Sequence, residues 1–205
     1  MDSNAIAPQT APIMNTPNEA PIPWKAFLAL GETAFCELLG PVVEHSPWVA
    51  QRAWATRPFA DREQLTRALA DAILGASEAE QLRLLRGHPE LAGQEARAGT
   101  MTADSQGEQG RLGLLSVDAA TVQRIESLNE RYRDRFGFPF IAALRLHASL
   151  DSVLESFEER LRHDGATEHR EALQQVCEVM RGRLHRTVLP PAPFSPTAAL
   201  PVSTL

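Results

Sequence analysis

From Trp24 to Leu189 apolar residues recur at spacings of three and four, the repeat of one face of an α-helix. Leu65, Leu69, Ala72 and Ile73 form one stripe, and Ala79, Leu82 and Leu85 a second. Val122, Ile125, Leu128 and Tyr132 form a third. Leu150, Val153, Leu154, Phe157 and Leu161 form a fourth. Leu173, Val176, Val179, Met180 and Leu184 mark the longest predicted helix. Boundary signals agree with these stripes. Asp61 and Asp118 are N-cap residues, and Ser77 with Glu80 has the spacing of a capping box. Thr167 with Arg170 fits that box less well. Gly75 and Gly165 stand where C-terminal caps are expected. No run alternates apolar and polar residues long enough to predict a strand. The pattern predicts an all-α, single-domain bundle of about seven to eight helices.

Proline placement sets the limits of that domain. Of fifteen prolines, five fall in residues 1–23 and five in residues 190–205. Proline fixes φ and removes a donor, so neither end can form a long helix. Both ends are expected to be flexible tails around a helical domain at 24–189. Composition narrows the class further. Residues are 43% hydrophobic and 22% charged, as in ordinary globular domains. No apolar run approaches the ~18–20 residues of a membrane span, so no membrane association is expected. The start, MDSNAIAPQT, has no basic and apolar leader pattern. The end, Val202-Ser203-Thr204-Leu205, is not a Ser-Lys-Leu type peroxisomal signal. A bacterial-type cytoplasmic protein is expected. The net charge of −6 argues against a nucleic-acid partner. Cys36 and Cys177 cannot build a disulfide scaffold or a four-cysteine metal site.

Two segments break the helical rhythm, Gly87 to Gly93 and Arg135 to Ile141. Irregular backbone between regular helices is where sites concentrate. In the first, Pro89 disfavours a helical conformation at His88, so the imidazole projects from a helix end. Histidine is the usual acid–base group near neutral pH; its alternative use is as a helix cap or core residue. In Ser105-Gln106-Gly107-Glu108-Gln109, Ser105 and Glu108 have capping-box spacing. The same helix start would present free N–H groups to an anion. The second segment holds three of eight phenylalanines, Phe136, Phe138 and Phe140. They read either as a core plug or as a bend exposing the backbone of Phe140 to Leu144. Arg145 and, on the last helix, Arg183 are candidate anion contacts, or surface charges. His45, His147, His163, His169 and His185 form no metal-binding repeat, and no phosphate-binding glycine motif is present. No metal and no cofactor are expected.

Taken together, these pieces resemble the OHCU decarboxylase family. The resemblance rests on His88-Pro89-Glu90-Leu91-Ala92, Ser105-x-x-Glu108-Gln109, Leu128-Asn129-x-x-Tyr132 and Phe136-Gly137-Phe138-Pro139-Phe140. Glu44-His45-Ser46-Pro47-Trp48, Arg57-Pro58-Phe59 and Arg183-Leu184 flank them. It covers residues 24–189. It implies cofactor-free decarboxylation of 2-oxo-4-hydroxy-4-carboxy-5-ureidoimidazoline (OHCU), a small molecule of uric acid breakdown, to (S)-allantoin and CO2. His88 and Glu108 carry over as catalytic. Pro89, Ser105, Gln106, Gly107, Glu108, Gln109, Phe140, Ile141, Ala142, Ala143, Leu144 and Arg183 carry over as substrate-binding. Arg181 competes with Arg183 for the last of these roles. Leu146 departs from the family, where many members carry Gly. Trp48 and Trp54, if exposed, would allow a homodimer. Two other readings use the same residues: a hydrolase acting on a purine-derived ring, and a non-catalytic helical interaction module.

Overall fold

The computed structural model describes residues 20–192, and the expected tails lie largely outside that range. Ten α-helices fill it, eight of them of eight residues or more. In chain order they are α1 (Trp24–Leu28), α2 (Glu32–Leu39), α3 (Pro47–Trp54), α4 (Arg62–Leu74), α5 (Glu78–Arg86), α6 (Gln94–Ala98), α7 (Ala103–Arg111), α8 (Ala119–Phe136), α9 (Leu150–Arg160) and α10 (Gly165–Thr187). Short 3-10 turns occupy Gly40–Val42 and Leu144–Leu146. Among the described residues the only ladder contact is an isolated parallel bridge between Ile22 and Val188.

The long helices form where the stripes place them. Leu65, Leu69 and Ile73 of α4, Ile125, Leu128 and Tyr132 of α8, and Val153, Leu154 and Phe157 of α9 are buried. On α10, Leu173, Val176, Val179, Met180 and Leu184 all face inward. Each such side chain contributes about 1.5–3 kcal/mol through burial. This stripe makes α10 the spine, packed against α2, α4, α5 and α8. Its register is unbroken through Gly182. Asp61 and Asp118 cap as expected, accepting from Gln64 and Thr121 N–H.

Four local expectations are corrected. The α5 stripe is turned: Gln81, Leu84 and Leu85 are buried, while Ala79 is exposed. Gln81 can face inward because Nε2 donates to the Ile73 and Leu74 carbonyls that end α4. Gly165 opens α10 rather than closing a helix, with Asp164 as its cap. Ile22, inside the expected N-terminal tail, donates to Thr187 O and accepts from Leu189 N–H. Trp48 and Trp54 are not exposed. Both pack against the core, under Arg52 and Arg57 respectively.

Candidate active site

His88 sits where α5 stops. Gly87 caps the helix, and the N–H of His88 still bonds to Leu85 O. Pro89 then forbids another turn. His88 is 8% exposed, and its Nδ1 lies 2.9 Å from Leu84 O. A carbonyl only accepts, so Nδ1 carries the proton and Nε2 keeps its lone pair in the neutral ring. Burial pushes the His88 pKa below its ordinary value. Glu44 opposes that, while Arg183 and His45 add to it.

Behind His88 the chain turns through Ala92, at φ +47°. Left-handed backbone at a non-glycine residue costs of order 1 kcal/mol and persists only when neighbours hold it. Gln109 is such a neighbour: its Oε1 accepts from Ala92 N–H at 2.8 Å, and its Nε2 donates to Glu90 O. Asn129 Nδ2 holds the Leu91 carbonyl at 2.9 Å. Helices α7 and α8 therefore pin the segment that carries His88.

The expected helix start at Ser105 is not where α7 begins. Thr102 is the cap, and its hydroxyl accepts from Ser105 N–H. Ser105 lies in the first turn with its N–H taken by Thr102, and Glu108 and Gln109 lie a turn further on, so the helix start does not present its N–H groups beside these three side chains. Their side chains form a charged cluster instead. Ser105 Oγ lies 2.6 Å from Glu44 Oε2 and accepts from Arg183 Nη2 at 3.0 Å. Arg183 also donates through Nε and Nη2 to both oxygens of Glu108, at 3.2 and 2.8 Å. Arg186 adds a second cation on Glu108 at 2.9 Å. Arg183 Nη1 is buried and has no partner among the described residues. Burial works against the guanidinium charge, and Glu108, Glu44 and Asp104 outweigh it.

The Phe-rich segment satisfies both of its readings. Phe136, Phe138 and Phe140 surround the Tyr132 ring edge-on, and Phe140 stacks on Phe157 at 3.9 Å. With the side chains committed to the core, the backbone after Phe140 is free to line a cavity. Ile141 O accepts from Arg160 and Ala143 N–H donates to Gln175, while Ile141 and Ala142 N–H have no acceptor among the described residues. Arg145 then lies across Gly182, whose missing Cβ would stand 2.8 Å from Arg145 Nε, and pairs with Glu178.

These elements enclose one pocket with about 420 Å³ of empty space, part of it open to solvent. It brings together His88, Pro89, Ser105, Glu108, Gln109, Phe140, Ile141, Ala142, Leu144 and Arg183. Gln106 and Gly107 are exposed, and Ala143 is buried outside the lining. Arg181 points to Glu63 and Glu178 on the outer face, which assigns the pocket-facing arginine as Arg183. Leu146 is exposed and takes no part. Sequence reasoning missed Glu44, Leu91 and Val179 as lining residues. Glu44 stood in a quoted flanking motif, and a carboxylate directly after Val42 and Val43 was the available signal. Among the described residues no three His, Cys, Asp or Glu side chains converge as a metal-binding group, and no helix is long and apolar enough to cross a membrane.

A sequence model of OHCU decarboxylase matches residues 28–185. A 2-oxo-4-hydroxy-4-carboxy-5-ureidoimidazoline decarboxylase of Halalkalicoccus jeotgali is 38% identical over 156 residues, covering 76% of this chain and 86% of that one. Its counterpart in Mus musculus is 38% identical over 150 residues, covering 73% and 84%. The crystal structure of an (S)-allantoin synthase superposes with a TM-score of 0.62 at 29% identity, over 80% of this chain and 53% of that one. The chain belongs to the OHCU decarboxylase family and is a decarboxylase.

Proposed function

We propose that the chain converts OHCU to (S)-allantoin and CO2 without a cofactor, in the cytoplasm, with His88 as the catalytic residue. The observation that carries the site assignment is the pairing of a buried neutral His88 with a buried guanidinium that has one free nitrogen. The substrate bears a carboxylate and a hydroxyl on one ring carbon. When CO2 leaves, the C–C bonding pair forms a C=C bond to the neighbouring ring carbon, and the C=N π pair moves onto its nitrogen, conjugated with the ring carbonyl. The one proton consumed overall goes to that nitrogen; as the hydroxyl becomes a carbonyl, its proton is moved to the neighbouring carbon, which must receive it from one face.

His88 Nε2 accepts the hydroxyl proton and returns a proton to that carbon. A positioned acid–base group of this kind contributes about 10²–10⁴-fold. Arg183 Nη1 donates to the ring carbonyl, where charge accumulates during the reaction. The Ile141 and Ala142 N–H groups offer two more donors, for the ureido or ring oxygens. Such fixed contacts on one side select the protonated face. Glu108 stands beside the departing carboxylate. Its charge is shared by Arg183 and Arg186, so it acts by orienting Arg183 more than by repelling the substrate.

The test generates OHCU from urate with urate oxidase and hydroxyisourate hydrolase, then follows circular dichroism and CO2. Wild type is expected to accelerate both CO2 release and the rise of one enantiomer. His88→Ala is expected to return the rate to spontaneous, racemic decay while keeping helical ellipticity. Ring opening without CO2 release would instead assign a hydrolase.

A further inference from the structure

We propose that Glu44 is a positioning residue of this reaction, a buried carboxylate that acts on His88 through its charge and holds Arg183 so that Nη1 stays free for substrate. The proposal rests on the decarboxylase reading of the pocket. Glu44 lines that pocket, and its side chain is 1% exposed. It is delivered there by the turn after Val42 and Val43, where His45 takes φ +52° before Pro47 opens α3. Burying a carboxylate costs several kcal/mol before its partners are counted. The partners are specific. Thr102 Oγ1 donates to Oε1 at 2.6 Å, Ser105 Oγ lies 2.6 Å from Oε2, and Arg183 Nη2 reaches Oε2 at 3.3 Å.

A purely structural acceptor at this place need not be charged. A glutamine oxygen would still accept from Thr102 and Ser105. What the carboxylate adds is charge, and it acts on two groups that share the pocket with it, the Arg183 guanidinium and the His88 ring. Around His88 the other charged or titratable groups are His45 beside Glu44, Arg183 on α10, and Glu108 across the pocket. On the outer side stand Arg86, Glu90, Glu95 and Arg133, with Glu90 and Arg133 paired to each other. Glu108 is held between two guanidiniums. Glu44 is the anion acting on His88 against burial and against Arg183. It remains ionised because Arg183, Ser105 and Thr102 outweigh the cost of its own burial. When His88 takes the hydroxyl proton it becomes a buried cation, and Glu44 is the charge that offsets it. The same carboxylate fixes Nη2, so the guanidinium plane presents Nη1 to the ligand.

The experiment uses the full chain with Glu44→Gln and Glu44→Asp. Side-chain NMR of labelled histidine follows His88 in the free protein, and steady-state kinetics follow OHCU. Glu44→Gln is expected to move the His88 titration to lower pH. It should also move the acid limb of kcat/KM the same way and lower kcat about tenfold or more. KM should rise by less. Glu44→Asp keeps the charge and retracts it by one methylene, so it should fall between wild type and the Gln variant in both readouts. An unchanged His88 titration with unchanged kcat in Glu44→Gln overturns the proposal. If Glu44→Gln fails to fold, a His88 titration and kcat in Glu44→Asp identical to wild type overturn it equally. Absence of OHCU turnover in wild type would fail the decarboxylase reading instead. The titration arm would then still decide whether the Glu44 charge acts on His88.

Discussion

Arg160 and Arg183 are both buried arginines, 4% and 2% exposed, and each pairs with a buried glutamate. Their surroundings differ in one respect. Arg160 spends every nitrogen: Nε on Glu168, Nη1 on Ile141 O at 2.7 Å, Nη2 on Glu168 and Tyr132. Glu168 in turn receives Tyr132 and His163. Among the described residues Arg183 Nη1 has no partner. A buried donor without an acceptor costs about 1–3 kcal/mol, so it marks a place where something other than the fold is served. Burial of a charge does not distinguish a structural cluster from a site; incomplete satisfaction does. The two clusters also cooperate. Arg160 fixes the Ile141 carbonyl, and so the wall against which the ligand of Arg183 would lie.

Breaking each cluster should therefore fail in a different observable. Arg160→Leu strands Glu168 in the core and is expected to cost about 3–5 kcal/mol, a large fall in Tm by circular dichroism. Its kcat should drop only as far as the pocket wall loosens. Arg183→Lys keeps a cation but loses the fork. It should raise KM for OHCU about tenfold, or about 1.4 kcal/mol, with a smaller change in Tm than Arg160→Leu. If the two variants exchanged these signatures, the distinction drawn here would be wrong. Asp118→Ala touches neither cluster and removes only the α8 cap. Its expected cost is about 1 kcal/mol of stability, with normal kinetics.

The smallest effect is on the pH dependence of stability. The folded-state pKa of His88 lies below the unfolded value of about 6.5. As pH falls below that value, the unfolded chain takes up a proton that folded His88 refuses, and stability is lost until the folded pKa is reached. At higher pH the contribution is complete. In His88→Gln this part of the acid loss should vanish, as unfolding at a series of pH values would measure.

How much of this was legible depended on the range over which the information lay. Leu65, Leu69 and Ile73, or the long stripe on α10, announce their helices because burial and period coincide along the chain. The α5 face was misplaced by its buried Gln81, whose partners are the end of α4 and His169. The five-residue helices α1 and α6 carry too little pattern to be seen. In the pocket, His88 and Pro89 were legible because proline breaks a helix locally. Gln109 was legible as polar, but its work of holding Ala92 was not. Glu44 gave only the weak signal of a carboxylate after two valines, because Ser105 and Arg183, its partners, stand 61 and 139 positions away.

That long separation has a kinetic consequence. During synthesis Glu44 and Glu108 emerge well before α10, and the counter-ion they share, Arg183, arrives only with that helix. Ile22 likewise waits for Thr187 and Leu189. Contacts this distant in sequence close late, because loop entropy must be overcome first. The pocket is therefore expected to be among the last parts of the domain to become native, and a ribosome-bound chain ending before α10 should hold its carboxylates in water rather than in a core.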